Sequence, residues 1–139
     1  MRIGIVAGEA SGDYLGAGLL KSLRENVPNL EVEGLVGPRM QKEGAKSLFP
    51  MTHISLIGVD GLIENLLRLL RIRQKLYRHF VEYPPDVFVG IDLPDFNLHL
   101  EKRLRKSGVR TIHYVSPTVW AWRSWRIKKI RQAVDHMIV

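Results

Sequence analysis

The sequence predicts an α/β fold, in which a parallel sheet has helices on both faces. Short apolar runs rich in β-branched residues recur along the chain, and VFVGI at 87–91 is the clearest of them. Stretches with apolar residues at helical spacing separate these runs, so strands and helices alternate. The 139 residues, 45% hydrophobic and 25% charged, suit one globular domain.

The first strand and helix follow the N-terminus directly. IGIVA at 3–7 is apolar, β-branched and bounded by glycine, which is typical of a strand buried on both faces. Leucines at helical spacing then predict a helix over 12–26, with Ser11 as a candidate cap and Pro28 beyond its end. A second strand is predicted at 31–36.

The middle of the chain contains a turn, an ambiguous stretch and a long helix. Gly37-Pro38 turns the chain into a short helical piece. Residues 47–58 contain short strand-like pieces without a clear period. A long helix is predicted over 62–80, ending before Pro84-Pro85 because prolines are poorly tolerated inside helices.

The last third of the chain repeats the alternation. The predicted elements are a strand at 87–91, a helix at 98–106, a strand at 110–115, a basic helix at 124–133 and a strand from 136. Because the sequence stops in an apolar strand signature, we expect residues 1–139 to be a truncated piece of a longer protein.

The composition excludes several classes of site and favours others. The chain has no cysteine, which excludes a disulfide scaffold, a thiolate metal site and a cysteine nucleophile. Its net charge of +7 favours phosphate, nucleic acid or anionic lipid as a partner. No apolar run approaches the ~20 residues of a spanning helix, and Glu9 and Asp13 interrupt the only stretch resembling a signal peptide. A cytoplasmic protein is therefore predicted.

The first candidate site is the turn Gly8-Glu9-Ala10-Ser11-Gly12-Asp13 between the first strand and helix. Glycines allow close approach of a ligand, but the spacing matches neither nucleotide-binding fingerprint, and the two acids would repel a phosphate. The turn therefore suits sugar hydroxyls better than a pyrophosphate. In the alternative interpretation, Ser11 or Asp13 caps the helix and the glycines serve packing.

The second candidate site follows the strongest predicted strand, in the segment Asp92-Leu93-Pro94-Asp95-Phe96-Asn97. Ligands of open α/β sheets bind outside the carboxyl ends of the strands, where a carboxylate can remove a proton from an attacking hydroxyl. Asp92 lies nearest the strand end and is the preferred candidate. An Asx-turn or helix-cap role is the alternative, above all for Asp95.

The third candidate site is the segment from His113 to Arg123, where a strand runs into a loop. All three tryptophans, Trp120, Trp122 and Trp125, lie within six residues, and tryptophan faces stack on sugars and pack on acyl chains. In the alternative interpretation, one or two of them cover the sheet. A lone histidine such as His113 is more often structural than catalytic.

The fourth candidate is the apolar and basic surface of the helix predicted over 62–80. Its apolar members are Leu62, Ile63, Leu66, Leu69 and Leu70, and Arg68 and Arg71 add positive charge. Such a surface suits an interfacial membrane helix. Periodicity alone favours the alternative, an amphipathic helix facing the core with a solvated basic back. The basic residues could also contact nucleic acid, but no known nucleic-acid-binding module is present.

Four segments give the chain its resemblance to a known family. They are VAGEASGDYLGAGL at 6–19, VGPRMQKEG at 36–44, PPDVFVGIDLPDFN at 84–97 and IHYVSPTVWAWR at 112–123. With these segments the sequence closely resembles the lipid-A-disaccharide synthases, bacterial glycosyltransferases of the GT-B architecture. The resemblance implies a Rossmann-like fold and the N-terminal half of a two-domain enzyme. The C-terminal nucleotide-sugar domain would be absent from residues 1–139.

The resemblance also implies a reaction. Members of the family join UDP-2,3-diacylglucosamine to the 6-hydroxyl of 2,3-diacylglucosamine 1-phosphate, with inversion and release of UDP. Asp92 then matches the general base. Substrate contacts are expected from Gly8, Glu9, Ala10, Ser11, Gly12, Asn97, Ser116 and Trp120. No cofactor or metal is expected, and no D-x-D pair that could hold a metal diphosphate occurs.

Because both substrates carry acyl chains, the resemblance raises the membrane interpretation of residues 62–71 above its alternative. The expected partners are these two lipids and the anionic inner face of the inner membrane, not nucleic acid. A homodimer of the full-length form is left open, and residues 1–139 alone are expected to be inactive. The competing hypotheses are a non-catalytic acyl-sugar or lipid-binding module and a related UDP-sugar epimerase.

Overall fold

A computed structural model of the chain describes residues 1–50, 62–114 and 131–138. Within them, the strands are β1 (Arg2–Ala7), β2 (Glu31–Val36), β3 (Lys46–Pro50), β4 (Val87–Ile91), β5 (Arg110–Tyr114) and β6 (His136–Ile138). The helices are α1 (Ala10–Asn26), α2 (Pro38–Lys42), α3 (Leu62–Glu82) and α4 (Pro94–Lys106). The six strands form one sheet in the order β3-β2-β1-β4-β5-β6, and every pairing is parallel. The predicted Rossmann-like α/β fold is therefore confirmed.

Two apolar cores lie on opposite faces of this sheet. Alternate strand residues such as Ile3 and Ile5 pack with α1 and α2, whereas Val6 and Phe88 pack with α3 and α4. The run 3–7 is buried on both faces because a strand turns successive side chains to opposite sides. Gly4 leaves room for the Phe80 ring of α3, since a Cβ there would lie 2.8 Å from it.

The helix starts differ from the prediction in two places. α1 begins at Ala10 and its N-cap is Glu9, so Ser11 lies in the first turn and is not the cap. α4 begins at Pro94, four residues earlier than predicted, because the fixed φ of proline suits the first helical position. Its N-cap is Leu93, so the cap role considered for Asp95 is wrong.

Two of the predicted elements lie wholly or largely outside the described residues. These are the strand-like piece near 54–57 and the basic helix at 124–133, of which 131–133 are described and helical. The strand-like residues 47–50 belong to β3.

Candidate active site

The candidate site lies where the chain reverses its direction across the sheet. β1 and β4 are neighbours, and Ala7 pairs with Ile91 at their carboxyl ends. From β1 the chain continues through β2 to β3, and from β4 it continues through β5 to β6 on the other side. Ligands of open parallel sheets bind in the crevice at this switch point. The turns that carry Glu9 and Asp92 are therefore side by side at the edge where a ligand is expected.

The turn after β1 leaves its central side chains accessible. Gly8 and Gly12 are buried, whereas Glu9, Ala10 and Ser11 are exposed. Glu9 has an extended backbone and makes no side-chain cap bond to α1. Gly12 packs against the strand ends, where an added Cβ would lie 3.2 Å from the Ala7 Cβ. The glycines thus serve packing, and Glu9 and Ser11 present their polar groups at the crevice.

Asp13 is committed to the fold. Its side chain is only 2% exposed. Its two carboxylate oxygens accept hydrogen bonds from the backbone N–H groups of Arg39 and Met40, at 2.9 and 3.0 Å. These are free N–H groups at the start of α2, and the carboxylate lies over Gly37, which has no side chain to block it. Asp13 therefore caps α2 rather than its own helix.

The turn after β4 has a left-handed backbone. Asp92 and Leu93 have φ of 52° and 44°, a left-handed region that aspartate adopts more readily than most residues and leucine rarely adopts. The Asp92 N–H donates to the Tyr114 carbonyl at 3.0 Å, which ties the turn to the end of β5. The Asp92 side chain is half-buried, and its carboxylate accepts no hydrogen bond from the described residues. Asp92 and the exposed Glu9 are thus two acids at the switch point whose carboxylates accept no hydrogen bond from the described residues.

Behind this turn lies a buried polar cluster. Asn97, Glu101 and His113 are 0% exposed, and the Glu101 Oε1 atom lies 2.8 Å from the His113 Nδ1 atom. Burial raises the pKa of Glu101, and the contact with His113 partly opposes this effect. Asn97, which the sequence predicts to contact substrate, is turned inward and donates to the carbonyls of Ile91 and Asp92. His113 is structural in position, as the sequence predicts for a lone histidine.

Helix α3 buries one face of its second half and exposes most of its first half. Ile72, Leu76 and Phe80 pack in the core, as the alternative interpretation expects. In contrast, Ile63 and Leu66 are 74% and 55% exposed. Also exposed are Leu67, Arg68, Leu70 and Arg71, while Leu69 is half-buried and only the backbone of Leu62 is described. The exposed residues form an apolar and basic patch, and contiguous apolar patches mark interaction surfaces.

An apolar groove connects this patch to the Asp92 turn. It has a volume of about 340 Å³. Leu66, Leu69 and Leu70 of α3 line one side, and Leu93, Pro94 and Phe96 line the other. Two larger depressions, of about 860 and 730 Å³, include neither Glu9 nor Asp92 among their lining residues. The small groove does not include Asp92 among its lining residues either, but it reaches Leu93, the next residue of the turn.

Ser116, Trp120 and the other two tryptophans lie outside the described residues, so their predicted contacts stay predictions. Among the described residues, no helix is long and apolar enough to cross a bilayer. Residues 1–50, 62–114 and 131–138 also contain no group of three or more His, Asp or Glu that could hold a metal ion.

Comparison with known proteins decides the family. The family model described as lipid-A-disaccharide synthetase matches residues 3–139, which is nearly the whole chain. The chain belongs to this family. The resemblance carried by the four segments is therefore confirmed, and the switch-point crevice is the candidate site of a family of synthases.

Curated relatives support this membership. The chain is 55% identical over 138 residues to the lipid-A-disaccharide synthase of Francisella philomiragia, 54% identical to that of Francisella tularensis and 51% identical to that of Aeromonas hydrophila. Each match covers 99% of this chain and 36% of the relative. The chain thus spans about a third of the length of these relatives.

A solved structure supports the fold alone. The chain is similar to the glycotransferase of kitacinnamycin, with a TM-score of 0.56, 14% identity and coverage of 91% of this chain and 34% of that one. At this identity the likeness concerns the arrangement of strands and helices.

Sequence reasoning missed Glu101, and it considered Asp13 as a cap of its own helix although this residue caps α2. Glu101 looks like one more exposed acid on a charged helix, but its i, i+4 relation to Asn97 places both on the face of α4 that meets Gly90. The signal for Asp13 was Gly37-Pro38. Proline starts a helix whose following N–H groups need an acceptor, and nothing in 37–42 supplies one locally.

Proposed function

We propose that this chain is the N-terminal, acceptor-side domain of an inverting glycosyltransferase of the GT-B architecture. The enzyme joins UDP-2,3-diacylglucosamine to 2,3-diacylglucosamine 1-phosphate and yields lipid A disaccharide 1-phosphate and UDP. The match of the family model over residues 3–139 carries this proposal. The position of Asp92 supports it, because this half-buried aspartate follows directly on β4 at the switch point, where the ligand of such a sheet binds.

In the proposed reaction, Asp92 is the general base. Its carboxylate takes the proton of the acceptor 6-hydroxyl while that oxygen bonds to the anomeric carbon of the donor. The bond from the anomeric carbon to the UDP oxygen breaks on the opposite side, which inverts the configuration. A positioned base typically contributes ~10²–10⁴-fold to such a step. The turn from Gly8 to Gly12 binds sugar hydroxyls through the exposed Glu9 and Ser11.

The nucleotide half of the donor is bound elsewhere in the enzyme. The turn after β1 lacks a phosphate fingerprint, and its exposed Glu9 disfavours a diphosphate. About two-thirds of each relative's length lies beyond this match, since the chain covers 36% of it. We therefore assign nucleotide binding to that remainder and expect residues 1–139 alone to be inactive.

The apolar and basic patch of α3 is proposed as the membrane-contact surface on the cytoplasmic side of the inner membrane. Ile63, Leu66 and Leu70 supply apolar area that an interface can bury, and Arg68 and Arg71 supply charge for anionic headgroups. The groove from this patch to Leu93 gives an acyl chain a route toward Asp92. Leu62, whose side chain lies outside the described part of the chain, is also predicted to contact the membrane.

Assay of product formation tests the proposal. The protein to assay, called the full-length protein below, is this chain joined to the remainder of its gene product. If the gene ends at residue 139, the chain is instead joined to the matching remainder of the Francisella philomiragia synthase. Given both substrates, it is expected to release UDP and form the disaccharide, whereas residues 1–139 alone form none. Binding of an acyl-sugar without turnover would favour a binding module, and an epimerised UDP-sugar would favour the epimerase.

Flotation with vesicles of anionic lipid tests the membrane surface on the same preparation. The double change Leu66→Ser and Leu70→Ser is expected to reduce co-flotation with little loss of secondary structure. The matched control is Leu76→Ser on the same helix, which is buried and should lower the melting temperature instead. Loss of secondary structure in the Leu66 and Leu70 variant would show that these leucines serve the core.

A further inference from the structure

The buried polar cluster behind the Asp92 turn is unusual for a sheet interior. Asn97 and Glu101 of α4 pack on Gly90 of β4, and a side chain at Gly90 would collide with the Glu101 carboxylate. His113 pairs with Gly90 across the sheet and contacts Glu101. The absence of a side chain at Gly90 thus admits three polar residues into one apolar layer.

Asn97 bonds the cluster to the strands and to the turn. Its Nδ2 atom lies 2.8 Å from the Asp92 carbonyl, 3.3 Å from the Ile91 carbonyl and 3.5 Å from the Val6 carbonyl. Carbonyl oxygens only accept, so the amide nitrogen must face them and the amide oxygen must face away. Asn97 therefore connects the ends of β1 and β4 to the backbone of Asp92.

The turn depends on such support. Asp92 and Leu93 both have positive φ, and residues with side chains keep this conformation only where the surroundings hold it. The Leu93 carbonyl accepts from the Phe96 and Asn97 N–H groups, and the Asp92 carbonyl accepts from the Asn97 amide. Asn97 thus bonds the turn through both its backbone and its side chain.

Glu101 and His113 lie beside Asn97, since Asn97 and Glu101 both pack on Gly90 and Glu101 contacts His113. Glu101 lies one helical turn after Asn97, on the same side of α4, and its carboxylate is bonded to the His113 ring. The Asn97 Oδ1, Glu101 Oε2 and His113 Nε2 atoms are buried without a partner in the described part of the chain. Unpartnered buried polar atoms cost stability, so packing alone does not account for three polar side chains at these positions.

We infer that Asn97, Glu101 and His113 are positioning residues that hold Asp92 in its left-handed turn and aim its carboxylate into the crevice. None of them touches substrate in this role. The inference rests on the proposed function, because Asp92 needs a fixed direction only if it acts as the base. Misplacement of a catalytic group by ~1 Å can cost ~100-fold in rate.

Asn97→Ala in the full-length protein is the first test. It is expected to lower kcat ~100-fold, as misplacement of the base does, while KM changes less than threefold. The matched control is Leu104→Ala, which removes a fully buried apolar side chain from the same helix without touching the turn. The control is expected to lose stability to a similar extent and to keep kcat within twofold.

Rescue at His113 is the second test. His113→Leu removes the bond to Glu101 and is expected to lower kcat ~10-fold, less than direct loss of Asn97. His113→Asn keeps an N–H donor at the position of the ring Nδ1 atom and is expected to restore most of kcat. If His113→Asn and His113→Leu are equally slow, or if Asn97→Ala keeps kcat, the inference is overturned.

Amide hydrogen exchange gives a readout that does not depend on turnover. In Asn97→Ala, exchange of the Asp92 amide is expected to accelerate more than exchange of the β2 amides, relative to the unsubstituted protein. In Leu104→Ala, exchange at the two places is expected to accelerate equally. Unchanged relative exchange at Asp92 would overturn the inference whatever the activity. If the unsubstituted protein forms no disaccharide while exchange responds as expected, the proposed function fails but the support of the turn stands.

Discussion

Asp13 and Asp92 are two aspartates that follow neighbouring parallel strands, yet their surroundings differ. Asp13 is buried and accepts hydrogen bonds from two backbone N–H groups of α2. Asp92 is half-buried, and its carboxylate accepts none from the described residues. An acid near the end of a strand is thus fixed in the fold where free N–H groups of another helix face it.

The supply of free N–H groups explains the difference. At Asp13, the start of α2 offers two N–H groups with no other acceptor, and Gly37 leaves the approach open. At the Asp92 turn, three N–H groups already have acceptors. The Asp92 N–H bonds the Tyr114 carbonyl, and the Phe96 and Asn97 N–H groups bond the Leu93 carbonyl.

The largest effect is expected from Asp92→Asn. The change keeps the size of the side chain and removes its basicity, so turnover of the full-length protein should fall at least ~100-fold, the lower range for a general base. The melting temperature should stay within 2 °C of the unsubstituted value, roughly the shift of a change well below 1 kcal/mol. Glu25→Gln, on the exposed side of α1, is the control. Near-normal turnover would exclude Asp92 as the base.

Asp13→Ala should show the reverse pattern. Loss of the α2 cap leaves two N–H groups without an acceptor, so the free energy of unfolding should fall by about 2 kcal/mol. Chemical denaturation of the full-length protein measures this change, and Glu25→Ala on the exposed side of α1 is the control. At temperatures where the variant stays folded, kcat should change little. A stable variant with lost turnover would place Asp13 in the site instead.

The smallest effect is expected at Asp135, a third aspartate that serves the fold. The bond from the Thr111 N–H, aided by Arg105, lowers its pKa despite partial burial. Because the pKa of Asp135 is lower in the folded than in the unfolded protein, the ionised carboxylate stabilises the folded state at pH values above the unfolded pKa of about 3.9. This stabilisation is lost as the pH falls through the pKa of the folded protein. Asp135→Asn should therefore lose at most about 1 kcal/mol at pH 7 and nothing at pH 2.

Thermal unfolding across this pH range checks the Asp135 prediction, with Glu82→Gln on the exposed end of α3 as the control. A stability difference between Asp135→Asn and the unsubstituted protein that persists at pH 2 would contradict it.

Much of the site was predictable because its position follows from strand ends. The run VFVGI and the polar residues after it place Asp92 at the carboxyl edge of a parallel sheet, and IGIVA does the same for Glu9. The roles of Asp13 and Asn97 were not predictable. The groups that Asp13 binds lie 26 and 27 residues away, and the Val6 carbonyl beside Asn97 lies 91 residues away.

By itself, the sequence determined the order of strands and helices, the family and the position of the candidate base. The order of elements and the position of Asp92 follow from periodicity and from residue types that act on their immediate neighbours, whereas the family follows from the resemblance of four segments. Only the tertiary structure decided that Leu66 is exposed and Leu76 buried on one helix, and that Glu101 meets His113. Such outcomes depend on which distant surfaces come together, since burial and hydrogen-bond partners are properties of contacts rather than of residues.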